Sequence, residues 1–140
     1  MGEQQQARTP LEVVTAIYDA LGRRDFEVVL ELTSPDIVIT QDPALPWGGR
    51  WEGHDGYGRF AVAIGGAIVS KVTTLALYEA GDRVVQYGRT AGTVRANGAT
   101  FDIPECHLWR VEDGVAVEAQ YFIDSAAMLE ALNRPEGAGA

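Results

Sequence analysis

Cysteine, histidine and positive charge are all scarce in this 140-residue chain. Its one cysteine, Cys106, excludes an intrachain disulfide and a zinc site built from several thiolates. Two histidines, His54 and His107, form no HExxH motif and no metal cluster, so no metal and no cofactor is implied. No apolar run reaches the roughly 18 residues of a membrane-spanning helix. The opening Met-Gly-Glu-Gln-Gln-Gln does not read as a charged-then-apolar leader. Gln6 stands where a myristoylation signal needs Ser or Thr. A cytoplasmic protein without membrane attachment is the expectation. Eleven basic residues face twenty acidic ones, for a net charge of −9. A nucleic-acid backbone or an anionic membrane would need clustered Lys and Arg, and Arg23-Arg24 is the only adjacent basic pair.

The length suits a single domain, placed at residues 9–132, with residues 1–8 and 133–140 as flexible ends. Thr9-Pro10-Leu11-Glu12 is a capping box with proline at the first helical position. The stripe Leu11, Val14, Ile17, Tyr18, Leu21 follows it to Gly22. A short second helix starts at Asp25. Residues 36–41 are β-branched enough for a strand. Residues 42–53, with two prolines, three glycines and two tryptophans, read as a loop. A third helix is expected over His54–Val69 against the cost of four glycines. Strands are expected near 71–79, 83–95, 99–111 and 115–123. Asn97-Gly98 signals a type I′ hairpin, and a last helix follows Asp124-Ser125. The order α-α-β-loop-α-β-β-β-β-α predicts an α+β domain: a curved antiparallel sheet, a conical barrel wrapped around the N-terminal helices, leaving a hollow suited to a ligand.

The segment Phe101–Val111 carries the main chemical signal. Period 2 places Phe101, Ile103, Glu105, His107, Trp109 and Val111 on one face. A carboxylate and an imidazole thus share an otherwise apolar surface, where an unpaired polar group costs about 1–3 kcal/mol. Either they satisfy each other or they line a cavity. Neutral imidazole exchanges protons near neutral pH, which makes His107 the leading catalytic candidate. Glu105 serves as base, tautomer-fixing partner or structural ion pair. Asp42 is a second candidate base or an Asp-Pro turn starter. Tyr18, Tyr87 and Tyr121 are phenol donors or core aromatics, with Tyr121 the polar inward position on the last strand, beside Ile123. Trp47 and Trp51 form a hydrophobic lid or ordinary loop packing, and Trp109 contributes an apolar wall. His54 reads as a helix cap, and Cys106 falls on the face opposite His107.

Several segments together resemble the SnoaL-like polyketide cyclase and ketosteroid isomerase branch of the nuclear transport factor 2-like superfamily. They are Tyr18–Phe26, Asp36–Ile39, Gly49–Gly53, His107–Gly114 and Tyr121–Asp124. The resemblance spans about residues 9 to 132. It implies a cone-shaped α+β fold, a homodimer through the outer sheet face, and cofactor-free chemistry on a hydrophobic small molecule. The isomerase pattern is an Asp base with an oxyanion hole of Tyr and protonated Asp. Carried over, it puts Asp42 at the base, His107 at the protonated aspartate, and Ile17, by counting back from Asp25, at the tyrosine. The SnoaL-like cyclases carry a cavity histidine on the strand of His107. The expected function is acid–base isomerisation, cyclisation or dehydration of an oxygenated polyketide or terpenoid. The alternatives are a non-catalytic binding or dimerisation module and an epoxide-opening hydrolase or cyclase.

Overall fold

Thr9 accepts a hydrogen bond from the Glu12 amide while Glu12 accepts from the Thr9 amide, so the capping box forms as the sequence predicts. The computed structural model describes residues 8–136; the rest of the two expected flexible ends, 1–7 and 137–140, lies outside the described residues. Helix α1 (Pro10–Gly22) buries Val13, Val14, Ile17 and Ala20. Asp25 caps α2 (Phe26–Glu31) through the Val28 amide. Strand β1 (Thr33–Gln41) starts earlier than its β-branched core suggests, and Pro35 falls where its pairing with β6 shifts register. An interrupted ladder is where a residue without an N–H is tolerated.

The expected loop 42–53 contains a fourth short element. β2 (Gly49–Glu52) pairs antiparallel with β1, Trp51 opposite Ile39. The turn before it closes so tightly that a Cβ on Gly48 would stand 1.8 Å from the Asp42 carbonyl oxygen, which glycine alone permits. Helix α3 (Gly53–Ala67) follows, then β3 (Ile68–Ala80), β4 (Arg83–Val94), β5 (Thr100–Glu112), β6 (Val115–Ile123) and α4 (Ser125–Leu132).

The six strands form one curved sheet in the order β2-β1-β6-β5-β4-β3. It is antiparallel except where β1 runs parallel to β6, and it does not close into a barrel. Bulges in β3 near Leu75 and between Arg110 and Val111 bend it. Val84, Ile103, Trp109, Val111 and Ala119 on its inner face pack with Val14 and Ile17 of α1 and Phe60 of α3 in one core. Among the described residues no helix is long and apolar enough to cross a membrane.

The Asn97-Gly98 turn is not type I′, which needs left-handed backbone at both residues. Only Gly98 has it, at φ +75°. Asn97 is drawn into the core by its side chain: Nδ2 donates to the carbonyls of Ala131 and Arg134 at 2.9 Å each, and Oδ1 accepts from the Ala99 amide at 2.8 Å. Asn133 and Arg134, expected in the loose C-terminal end, are therefore tied down, Arg134 also by its ion pair with Glu130.

Asn97 thus fastens α4 to the β4–β5 turn. Asn97→Ala leaves carbonyls at the end of α4 without a donor and should destabilise the fold by about 2 kcal/mol, read as a lower midpoint in urea denaturation with an unchanged slope.

Candidate active site

One line of side chains crosses the concave face at right angles to the strands. Gln41 of β1 is the register partner of Tyr121 of β6, Tyr121 of His107 of β5, and His107 of Gln86 of β4. Four polar residues on adjacent strands share one row, with neighbouring strands about 4.8 Å apart. The next row runs Ile123, Glu105, Gly88, Thr74. Glu105 is 4% exposed and His107 8%. The alternation read along residues 101–111 therefore holds in three dimensions.

These rows floor a cavity of about 660 Å³, within the usual range for small-molecule sites. Its walls include Trp47, Phe26 and Phe60 on one side and Tyr18, Trp109 and Ile123 on others; Gln41, Glu105, His107 and Tyr121 all reach it. Tyr18 rather than Ile17 faces the hollow. Ile17 is fully buried in the core, so counting back from Asp25 goes one residue too far.

The indole of Trp109 gives the first of the hydrogen bonds its direction. Trp109 Nε1 donates to the Tyr18 hydroxyl at 2.9 Å, because an indole nitrogen only donates. The Tyr18 hydroxyl lies 2.6 Å from His107 Nδ1. The tautomer that suits both ring nitrogens, with the Glu105 carboxylate on one side and the phenol on the other, has the Tyr18 hydroxyl donating to Nδ1 and the ring hydrogen on Nε2. That nitrogen faces Glu105 Oε1 at 3.4 Å. Gln86 Nε2 donates to Glu105 Oε2 at 2.8 Å and to Thr74 Oγ1 at 3.1 Å, leaving Gln86 Oε1 buried without a partner among the described residues. Gly88 makes room for this amide: a Cβ there would stand 2.7 Å from Gln86 Nε2 and 2.2 Å from the Thr73 carbonyl oxygen.

A second buried pair joins the Tyr57 and Tyr121 hydroxyls at 2.8 Å. Burial pushes the Tyr57 phenol up to about 12, although its hydrogen bond with Tyr121 opposes the rise. Burial also holds Tyr18 and Tyr121 well above the ordinary phenol value; for Tyr18 the Trp109 hydrogen bond partly offsets it. All three stay neutral donors across the physiological range.

Three candidates fall away from the cavity. Asp42 is exposed; its Oδ1 accepts from the Ala44 amide at 2.9 Å, and that bond, with a second from Ser125, holds its carboxyl below the usual range. It is a turn starter, and the inward place at this strand end belongs to Gln41. Tyr87 lies on the convex face and is 45% exposed, because its neighbour Gln86 takes the inward position. Trp51 packs edge-on against Phe60 and donates to the Trp47 carbonyl, supporting the wall rather than forming a lid. His54 contacts Thr33 through Nε2 and fastens the start of α3 to β1. Cys106 sits on the outer face, opposite Tyr87.

Gln41, Tyr57, Gln86 and Thr74 escape a reading of the sequence. Two of them leave a signal there. Gln41 extends the inward series Ile37, Ile39, and Gln86 stands two residues after the buried Val84 on the same face of β4. Tyr57 carries no comparable signal, as it lies in a glycine-rich helix.

The SnoaL-like domain model matches residues 14–119. No curated protein matches the chain. A nuclear transport factor 2-like protein from Burkholderia thailandensis E264 is 29% identical, with a TM-score of 0.86 over 91% of this chain and 99% of that one. A protein of the same description and unknown function from Burkholderia pseudomallei is 28% identical, with a TM-score of 0.83 over 89% and 98%. TerC, in a structure co-crystallized with polyporic acid, is 25% identical, with a TM-score of 0.82 over 89% and 98%.

The buried phenols link stability to alkaline pH. The folded state holds the Tyr57 proton to about 12, whereas an unfolded tyrosine releases it near 10. Stability is therefore fully present below about pH 10 and is lost as pH rises toward about 12, with Tyr18 and Tyr121 acting in the same sense. Urea denaturation across this range should show the decline, and Tyr57→Phe should make it shallower.

Proposed function

The chain belongs to the SnoaL-like domain family, and we propose that it is a cofactor-independent acid–base enzyme acting on an apolar oxygenated small molecule, a polyketide or terpenoid in type. The carrying observation is that Glu105 and His107 face one cavity of about 660 Å³, with the Tyr18 hydroxyl 2.6 Å from His107 Nδ1.

In this reading Glu105 is the base. Its Oε1 takes a proton from a carbon next to a substrate carbonyl, and the C–H electron pair passes to the carbonyl oxygen as an enolate. His107 Nε2–H donates to that oxygen, and the neutral phenol of Tyr18 holds the ring in place. Return of the proton from Glu105 to another carbon completes an isomerisation. Attack of the enolate carbon on a second carbonyl closes a ring, and loss of a β-hydroxyl as water gives a dehydration. Gln86 follows the charge: its Nε2 serves the carboxylate, and its unpartnered Oε1, turned over, accepts from the protonated acid. Apolar walls exclude water and strengthen each of these interactions.

The rival reading, a non-catalytic binding module, draws on the same hydrogen bonds, since Tyr18, His107, Glu105 and Gln86 also satisfy one another. The homodimer belongs to the proposal too. Tyr87, Cys106 and Phe122 share one row on the convex face, with Tyr87 45% and Phe122 54% exposed. Phe122→Glu should then shift the chain from dimer to monomer in sedimentation velocity; a wild-type monomer would remove that part.

Polyporic acid, found with TerC, is the first ligand to try. Its addition should shift the NMR resonances of the His107 ring, as occupation of the cavity requires in either reading; unshifted resonances, together with no ligand carried through purification, argue against a ligand site. With a substrate in hand, His107→Ala and Glu105→Gln should each lower turnover by roughly 10²-fold or more. Wild-type turnover in either variant ends the assignment.

A further inference from the structure

The hydrogen-bond count leaves donors over at the end of the cavity away from Glu105. Gln41 is 8% exposed and lines the cavity. Trp47 Nε1 donates to its Oε1 at 3.1 Å, and because an indole only donates, this contact fixes which way the amide points. The Gln41 NH₂ group then has no acceptor among the described residues. Trp47 is itself held by Trp51, whose Nε1 donates to the Trp47 carbonyl at 3.1 Å. Beside Gln41, the Tyr57 and Tyr121 hydroxyls share one hydrogen bond. Two hydroxyls carry two protons and one bond uses one of them. One phenol O–H is left with no acceptor among the described residues, on side chains 3% and 8% exposed that both line the cavity.

From these two leftover donors we infer a second oxygen-binding subsite, made by the Gln41 amide and the Tyr57–Tyr121 hydroxyl pair, that takes a carbonyl or phenolate oxygen of the ligand. Gln41 and Tyr121 are register partners on paired strands, so the donors converge from one face. Both groups line the cavity, so a ligand that fills it takes solvent from them, and one ligand oxygen can serve both at once. An analogue lacking that oxygen leaves them unpaired and is rejected, which makes the subsite a specificity device. His107 lies on the far side of Tyr121 in the same row. The β1 and β5 lines are two strand spacings apart, roughly 9–10 Å, the reach of a two-ring skeleton with an oxygen function at each end. The subsite thus deepens the acid–base reading, on which it rests for the meaning of its position: it names the substrate as carrying a second acceptor oxygen that the chemistry does not consume.

The test is a binding measurement, independent of turnover. Isothermal titration of the full chain would compare 2-acetylnaphthalene, whose ketone only accepts, with 2-ethylnaphthalene, which has no oxygen. The wild type should bind the ketone about tenfold or more tightly than the hydrocarbon. Gln41→Met, which keeps the length and cannot donate, should cut that preference about fivefold. Should loss of the Trp47 contact unfold this variant, the double change Tyr57→Phe with Tyr121→Phe removes the other donor and should cut it similarly. His107→Ala should keep the preference. A wild type that does not bind the ketone or does not prefer it, a preference undiminished in the Gln41 and tyrosine variants, or one lost in His107→Ala would each overturn the subsite. Retention in His107→Ala alongside unchanged turnover there would sink the catalytic reading and leave the subsite standing.

Discussion

A phenol that receives one hydrogen bond and gives one sets the polarity of this cavity. Tyr18 accepts from Trp109, and with the phenol at Nδ1 and the Glu105 carboxylate at Nε2 the neutral imidazole is best served by carrying its hydrogen on Nε2, where Tyr18 donates to Nδ1. The same device recurs across the sheet, where Trp47 forces the Gln41 amide to turn its nitrogen away from the indole. All three tryptophans of the chain thus act through an N–H that cannot accept. Two of them, Trp109 and Trp47, each start a polar chain that ends on a donor in the hollow.

Holding a polar row in an apolar core requires backbone that most sheets do not need. The amide of Gln86 reaches Glu105 and Thr74 only because Gly88 leaves the space between them open. Curvature comes from the register shifts in β3 and β5, and from Gly88 and Gly92, where β3 passes too close for any Cβ: 1.8 Å from the Val69 carbonyl oxygen at Gly92. The bend turns the concave face into a cavity rather than a filled core, and α1 supplies Tyr18 from above. Fold and site are therefore one construction.

The fold was legible because its signals are local. The capping box at Thr9, the β5 alternation and the turns at Gly81 and Gly114 each act within a few residues. Two kinds of feature were not. β2 is four residues between glycines, and its strand character exists only through pairing with β1. The Asn97 turn reads as a hairpin signal locally, yet its side chain is claimed by α4 some 34 residues later in the chain. In the site, the β5 alternation puts Glu105 and His107 on the cavity face, with Tyr121 beside them on β6, whereas on β4 the inward place goes to Gln86 and not to Tyr87. Tyr57 came from a helix with four glycines in its interior, which weakens any reading of its apolar stripe.

Gln41 and Asp42 show how much one residue decides. In a strand a shift of one position moves a side chain from the core face to the solvent face. The aspartate that resemblance to the isomerases offers as a base is outside, tied to the Ala44 amide, and an amide that cannot take a proton from carbon occupies the inward place. In the proposed chemistry proton abstraction comes from elsewhere, and Glu105 is the buried carboxylate among the described cavity residues, Asp19 being exposed at the rim. It sits two residues from His107 on one strand, so in the proposed chemistry base and hydrogen-bond donor approach the substrate from the same side of the cavity. A proton removed and the oxygen stabilised would lie on one face of the substrate, and Glu105 would return the proton to that face.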